Sequence, residues 1–474
     1  MKFDYVIIGS GPAGSVLAWK LAKLNFDIAI IDRSNSQKKI INDFFLPYVN
    51  YSPSYYTPVF SNQLGGNSAL WHNKIYLLSK KEFDLEEWPI SYDELLKDSR
   101  ELSKLLNIEN STNLEKIEKD KSFKFDYHYS QRCKIGNIFD HLKLSKISNI
   151  KIFENSSPVK INYDKDFNAK SVFIKNQKSQ NNIKLTINKS LIFCAGGIGN
   201  PHLVLNLIHN NNRNTGKFLS DHPHVNIQKI NSKEFYNYEK IFKPNVKNNI
   251  KDITELEKKI EVAAVYQTKN ILAGIQLDFK KDPMRYLRRF FLKIPFNNIR
   301  KFLNIFSYIL TKLNGFFVKL GLLFGNYYQY SFEFFFSQSQ DVNNKVFLDK
   351  KSIDKFGLKK ANINWNISLN DQNKYNEIID TLIGQNGFLR KNDMKTDFIK
   401  NFYKSGLAGL HPSCTTIMGN DKDKSVVDKD LKIHGNQNIF ICGSSVFPIN
   451  GVTNPTWTIM TLANRLSKHL VKTQ

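Results

Sequence analysis

Two groups of residues have the types and spacing to do chemistry. The first opens the chain: Gly9-Ser10-Gly11-Pro12-Ala13-Gly14 follows the apolar run Tyr5-Val6-Ile7-Ile8, and a second apolar run, Ile28-Ala29-Ile30-Ile31, ends at Asp32-Arg33. A Gly-x-Gly-x-x-Gly turn between strand and helix can cradle a pyrophosphate. Gly9 permits the tight turn, Gly11 lets backbone N–H groups approach phosphate, Gly14 lets helix and strand pack closely, and the helix N-terminus faces the phosphate charge. Asp32, about 20 residues beyond the glycines, stands where a carboxylate can accept hydrogen bonds from a ribose. The second group lies far downstream: His411-Pro412-Ser413-Cys414-Thr415-Thr416, then Asn454-Pro455-Thr456. An imidazole titrating near neutrality can take a hydroxyl proton. A neighbouring amide can hold the oxygen that loses it. Asn454-Pro455 also reads as a helix start, with Asn at the N-cap and Pro at the first helical position, so both roles stand for Asn454.

The elements that must position these residues are scattered. Val16, Leu17, Leu21 and Leu24 continue the first turn as a helix, completing a βαβ unit. A second Gly-rich stretch, Leu64-Gly65-Gly66-Asn67-Ser68-Ala69-Leu70-Trp71, follows a polar loop. A charged helical region is expected near 93–106, and strands at 150–153, 171–174 and 183–187. The buried-type run 191–195 feeds Gly196-Gly197, and 439–442 also ends in glycine. Trp457, Met460, Leu462, Leu466 and Leu470 give the last helix an apolar stripe. These strands fit a parallel sheet whose members are distributed along the chain, so the nucleotide domain is discontinuous.

At 474 residues the chain is long enough for two domains. Its formal net charge of +25 comes from lysines spread among asparagines and isoleucines. Two readings follow: a solvated basic surface, or attraction to an anionic membrane or acidic substrate. Nucleic-acid binding is disfavoured, because no zinc-finger spacing, basic zipper or single-strand platform is present. Cys133, Cys194, Cys414 and Cys442 are scattered without metal-ligand spacing, so reduced thiols and no metal are expected. No signal segment is read before residue 4, which points to a cytoplasmic protein. Residues 300–320 form an amphipathic helical pattern, with Phe302, Phe306, Ile309, Leu313 and Phe317 on one side and Arg300, Lys301 and Lys312 on the other. That pattern suits either a packed core helix or a basic face on a membrane surface, and Arg285, Arg288, Arg289 and Lys293 extend it.

The ordered motifs together resemble the glucose–methanol–choline (GMC) oxidoreductases, flavoproteins that oxidise alcohols. The resemblance rests on the opening βαβ, Gly65-Gly66-x-Ser68, Cys194-Ala195-Gly196-Gly197, the Gly216-to-Pro223 segment with Asp221-His222, and 411–470; the stretch 226–405 matches loosely. The resemblance implies a discontinuous Rossmann-like FAD-binding domain (1–80, 151–225 and 406–474) and an α+β substrate domain (81–150 and 226–405), an antiparallel sheet backed by helices. It implies a CH–OH oxidation by hydride transfer to flavin N5, with His411 as base and Asn454 beside it. It places the cofactor against Gly9, Gly11, Pro12, Ala13, Gly14, Asp32 and Arg33, against Gly65, Gly66, Asn67 and Ser68, and against Val159, Ala195 and Gly196. Gly443, Ser444, Pro455 and Thr456 complete the set, the last two bringing a helix N-terminus to the flavin.

Departures from the family pattern sharpen the expectation. Gly443-Ser444-Ser445 stands where many members carry a carboxylate, and with Trp88-Pro89 it is similar to a bacterial sugar- or polysaccharide-associated branch. Some members link the flavin to a histidine at the position of Leu70, so FAD is expected to be held non-covalently. His72, His222 and His434 read as structural. The partners expected are a small alcohol or sugar and an electron acceptor the residues do not identify; under the membrane reading, 285–320 adds a peripheral contact and access to a lipid-linked alcohol. A flavin-containing lyase and a non-catalytic flavoprotein component are the competing functions.

Overall fold

The computed structural model describes residues 1–34, 49–52, 56, 58–71, 73–108, 126–133, 135–208, 212–230, 260–268, 271–279, 330–384 and 408–472. The opening motif folds as β1 (Lys2–Ile8), α1 (Pro12–Ala22) and β2 (Ile28–Ile31). All four residues of β2 and Tyr5, Val6 and Ile7 of β1 are buried. Their near-continuous apolar character is what a parallel strand covered on both faces requires.

Around this unit runs a seven-stranded sheet in the order Ile150–Phe153, β2, β1, Asn182–Phe193, Ala169–Asn176, Ser156–Tyr163, with Ile439–Ile441 pairing the end of Asn182–Phe193. The pairs of β1 with β2, β2 with Ile150–Phe153, and Asn182–Phe193 with both β1 and Ile439–Ile441 are parallel. The expectation of a wholly parallel sheet is corrected at one flank. Residues 171–174 and 183–187 pair antiparallel with each other, and Ser156–Tyr163 extends that ribbon. Short connections such as 164–168 and 177–181 permit hairpins, whereas a parallel crossover needs a dozen residues or more.

The helix Tyr92–Leu105 starts at a capping box in which Ser91 and Glu94 satisfy each other's backbone N–H groups. It packs on the last helix, Thr456–Lys472, which in turn packs on α1. Trp457 Nε1 donates to Ser99 Oγ at 2.8 Å, and Lys468 bridges Asp98 and Glu101. The expected stripe of Trp457, Met460, Leu462, Leu466 and Leu470 is buried here. One detail differs from expectation. The helix opens with Ile459 N–H donating to the Pro455 carbonyl at 2.9 Å, which places Pro455 at the cap and Asn454 before it.

A second sheet of six strands, antiparallel throughout, runs His224–Ile230, Tyr330–Phe336, Ile271–Phe279, Ile260–Thr268, Asp126–Arg132, Lys74–Ile75. The helix Leu369–Gly384 backs it, with Tyr375 stacked on Phe336 at 4.4 Å and donating to the Ser337 carbonyl. The fold is therefore the expected α/β combination of a discontinuous Rossmann-like domain and an antiparallel sheet backed by a helix. The four cysteines are unpaired. The amphipathic stretch 285–320 lies outside the described residues. Among the described residues no helix is long and apolar enough to cross a membrane.

Candidate active site

The turn after β1 is built by backbone crowding. Gly9 sits at φ +104, and a Cβ there would lie 2.6 Å from the Cys194 carbonyl oxygen. A Cβ at Gly14 would lie 2.0 Å from the Gly9 oxygen, so α1 can approach β1 only through glycine. At Gly11, by contrast, a Cβ would meet nothing within 4 Å, because the position faces open space. The second Gly-rich stretch closes against the first: Gly65 N–H donates to Ser10 Oγ at 2.9 Å, and a Cβ at Gly66 would come within 3.2 Å of Gly11 Cα. At the end of β2, Asp32 accepts from the backbone N–H groups of Ser10 and Ser34, each at 2.7 Å. These bonds fix the carboxylate while each oxygen keeps a second acceptor site.

A cavity of about 750 Å³ opens along this edge. Of the residues expected to hold a cofactor, Gly9, Gly11, Pro12, Ala13, Asp32, Arg33, Gly66, Asn67, Ala195, Gly196, Gly443, Ser444, Pro455 and Thr456 line it. Gly14, Gly65, Ser68 and Val159 stand behind the wall. Ser68 Oγ donates to the Gly65 carbonyl and accepts from Ile138 N–H, shaping the second turn. Ser156 and Pro158 line the cavity where Val159 was expected, since alternate residues of a strand share a face. Arg33 borders the cavity, but its guanidinium donates to Ser157 Oγ and forms an ion pair with buried Asp354 at 3.1 Å, over the Phe356 ring.

His411 and Asn454 line the same cavity. The backbone around His411 is tied to one buried carboxylate: Asp221 accepts from Gly409 N–H at 2.9 Å and from His411 N–H at 3.3 Å. Burial pushes the Asp221 carboxyl up to about 6, against the pull of the His222, Gly409 and His411 amides. Asn450 donates to the His411 carbonyl, and the Ser444 hydroxyl donates to that of Pro412. The segment is pressed so closely on the Gly196-Gly197 turn that a Cβ at Gly197 would sit 2.0 Å from the Pro412 oxygen.

Two residues at or behind this wall carry signals that the sequence did not show. His222, read as structural, makes a hydrogen bond through Nε2 with His411 Nδ1, the two residues being 189 positions apart. His224 lines the cavity itself and pairs through Nδ1 with Glu333 at 3.2 Å. Ring nitrogens of His222, His224 and His411 lie within 4.8 Å of one another. Only the Asp221-His222 step of the sequence hinted at this grouping. His434 has a local role, bonded to Ser425 Oγ at 2.9 Å. Behind the 451–453 loop, buried Glu82 receives the N–H groups of Val452 and Thr453 at 2.7 and 2.8 Å.

A glycine-lined cradle at the C-terminal edge of parallel strands, opening onto a histidine-bearing wall, defines the class of Rossmann-type nucleotide-cofactor proteins. Two segments match family models: residues 7–37 match an NAD(P)-binding Rossmann-like domain, and residues 349–463 match the GMC oxidoreductase family model. Across the full chain the fold is similar to formate oxidase of Aspergillus oryzae (TM-score 0.62, 17% identity, 100% of this chain and 98% of that one). It is also similar to pyridoxine 4-oxidase of Mesorbium loti (TM-score 0.60, 13% identity, 98% and 99%). Two curated relatives match short segments. One is an uncharacterized protein of Methanosarcina barkeri, 32% identical over 96 residues, and the other a geranylgeranyl diphosphate reductase of Rhodobacter capsulatus, 36% identical over 55. The segments cover 18% and 10% of this chain, and the chain spans 25% and 14% of those relatives' lengths. Residues 349–463 are thus similar to the GMC oxidoreductases, and the fold of the whole chain is similar to that of the two oxidases.

Proposed function

We propose that the protein is an FAD-dependent oxidoreductase that oxidises the CH–OH group of a small alcohol or sugar, with His411 taking the hydroxyl proton. The observation that carries this reading is the sharing of one cavity by the dinucleotide cradle and by His411 and Asn454. The residues present fit FAD: Gly11 and Gly196 have open space where a Cβ would stand, and Asp32 holds a fixed carboxylate at the far end. Gly9, Gly11 and the α1 N-terminus would hold the pyrophosphate and Asp32 the ribose, with Gly66, Asn67, Gly443, Ser444, Pro455 and Thr456 along the remaining length. Leu70, on the cavity wall, offers no atom for a covalent link, which favours non-covalent binding.

When bound, the flavin supplies the acceptor for the hydride that leaves the C–H bond. His411 removes the hydroxyl proton, so that a carbonyl rather than its protonated form results. Asn454 orients the substrate oxygen. Phe335, Trp71, Leu410 and Val452 give the cavity an apolar lining that limits water. Oxygen is the electron acceptor we favour, because formate oxidase and pyridoxine 4-oxidase are both oxidases.

An anaerobic flavin-reduction screen over alcohols, sugars, polyols, formate and pyridoxine tests the reading, followed by oxygen uptake with any hit. Bleaching of the oxidised flavin band by a CH–OH compound is the expected result, and His411→Ala should keep FAD while slowing reduction about 10²-fold or more. Substrate turnover with the flavin oxidised throughout would establish lyase chemistry instead.

A further inference from the structure

His222 is fully buried behind His411, and its Nδ1 lies 3.1 Å from the Gly451 carbonyl oxygen. A carbonyl oxygen can only accept, so Nδ1 carries the ring hydrogen. Burial holds this imidazole well below its usual range, helped by the neighbouring His411 and His224, so it is neutral with a lone pair on Nε2. That lone pair faces Nδ1 of His411. His411 must therefore donate from Nδ1, and a neutral imidazole with its hydrogen on Nδ1 has its basic lone pair on Nε2.

We propose that His222 is a positioning residue that fixes the tautomer of His411, holding its hydrogen on Nδ1 so that Nε2 is the proton-accepting atom. The proposal rests on the reading of His411 as base. Its geometry is over-determined. The Gly451 carbonyl belongs to the loop anchored by Glu82, and a Cβ at Gly451 would lie 2.3 Å from Glu82 Oε1. The backbone N–H groups of His222 and His411 both donate to Asp221, so the two rings are mounted on one carboxylate. The His222 ring also meets His224 edge-on, with centroids 5.0 Å apart.

A neutral imidazole orients its partner without placing a negative charge beside it. Once Nε2 of His411 takes the substrate proton, the bond from Nδ1 to His222 becomes charge-assisted and favours the imidazolium. Removing the acceptor should therefore slow proton removal and lower the apparent pKa of the base. The other titratable groups facing the pair are Asp221, His224, Glu333, Tyr56 (whose hydroxyl donates to Asp221) and Glu82 behind Gly451. All of these remain in the variants below.

The test compares His222→Met, which fills the volume with no acceptor for His411, with His222→Gln, whose amide oxygen can stand at the Nε2 position. The holoenzyme is followed by anaerobic flavin reduction across the acid and neutral range, in EDTA, with FAD content measured for each variant. His222→Met should reduce the rate by about tenfold or more and move the acid limb down by about one pH unit. His222→Gln should restore most of both. If the Met variant does not fold, His222→Asn, whose amide ends short of His411, takes its place against Gln. Wild-type rate and pH limb in His222→Met, with His411→Ala still slow, overturn the proposal but leave the base reading intact. Wild-type rates in both His222→Met and His411→Ala mean that the base reading itself fails. Equal slowing by Met and Gln with an unmoved limb would reduce His222 to packing. A rate lost in EDTA and restored by Zn²⁺ would show that the imidazoles hold a metal, which also overturns it.

Discussion

Replacing Glu82 by Gln should loosen the loop that carries the site while changing hardly any volume. The buried carboxylate collects five donors. Oε1 accepts from Val452 N–H at 2.7 Å and Thr453 N–H at 2.8 Å. Oε2 accepts from Ser79 N–H at 2.9 Å and from the hydroxyls of Ser79 and Thr453 at 2.8 and 2.6 Å. An amide must put its NH₂ at one of these positions. At Oε1 it would face two backbone donors that cannot turn. At Oε2 the hydroxyls can rotate to accept, and only Ser79 N–H is orphaned, so Gln adopts that orientation. One buried donor left unpaired costs about 1–3 kcal/mol, and four bonds lose their charge assistance at some tenths of a kcal/mol each. Burial raises the Glu82 pKa, so the neutral amide recovers part of the cost of burying a charge. The net expectation is a destabilisation of about 2–3 kcal/mol, within the range typical of a broken buried network. Thermal unfolding of holoenzyme should show a Tm lower by a few degrees, and anaerobic flavin reduction should slow because Gly451, Val452 and Thr453 precede Asn454. An unchanged Tm together with an unchanged reduction rate would refute the idea that this carboxylate anchors the loop.

Four further outcomes are expected. His202 is buried and its pKa is pulled down to about 4 by burial and by the charge of Arg33. Between pH 4 and about 6.5 the unfolded chain therefore binds more protons, and stability rises with pH by about 3 kcal/mol from this group, fully present above about 6.5. His202→Gln, which keeps a donor for the Lys359 carbonyl, should flatten the acid side of a Tm-against-pH curve; an unaltered slope would contradict the assignment. Gly197→Ala should give little folded protein, because the new Cβ would strike the Pro412 backbone at 2.0 Å, and normal expression with full FAD would argue against that packing. Asp32→Asn should weaken FAD binding about tenfold or more, measured by fluorescence of released flavin at equilibrium, since a charge-assisted ribose contact is lost. Acid precipitation of wild-type protein should leave yellow FAD in the supernatant, and flavin in the pellet would mean a covalent link.

The sequence alone settled what neighbouring residues decide. Gly9, Gly11, Gly14 and Asp32 lie within one βαβ unit, where turn chemistry and strand period act locally, and the structure builds that unit as read. The last helix and its stripe from Trp457 to Leu470 were legible because a 3.6-residue period is written along a single element. The motif at 411–419 pointed to the cavity wall through family resemblance, and His411 and Asn454 line that wall. Tertiary structure decided what distant residues do to each other. His222 meets His411 across 189 positions, Glu82 reaches Thr453 across 371, and Arg33 finds Asp354, and no spacing rule links such partners. The antiparallel flank of the sheet escaped notice because alternation of apolar residues marks a strand without marking its neighbour's direction. Pairing across the chain is settled by which surfaces bury together, and that is a property of the whole fold.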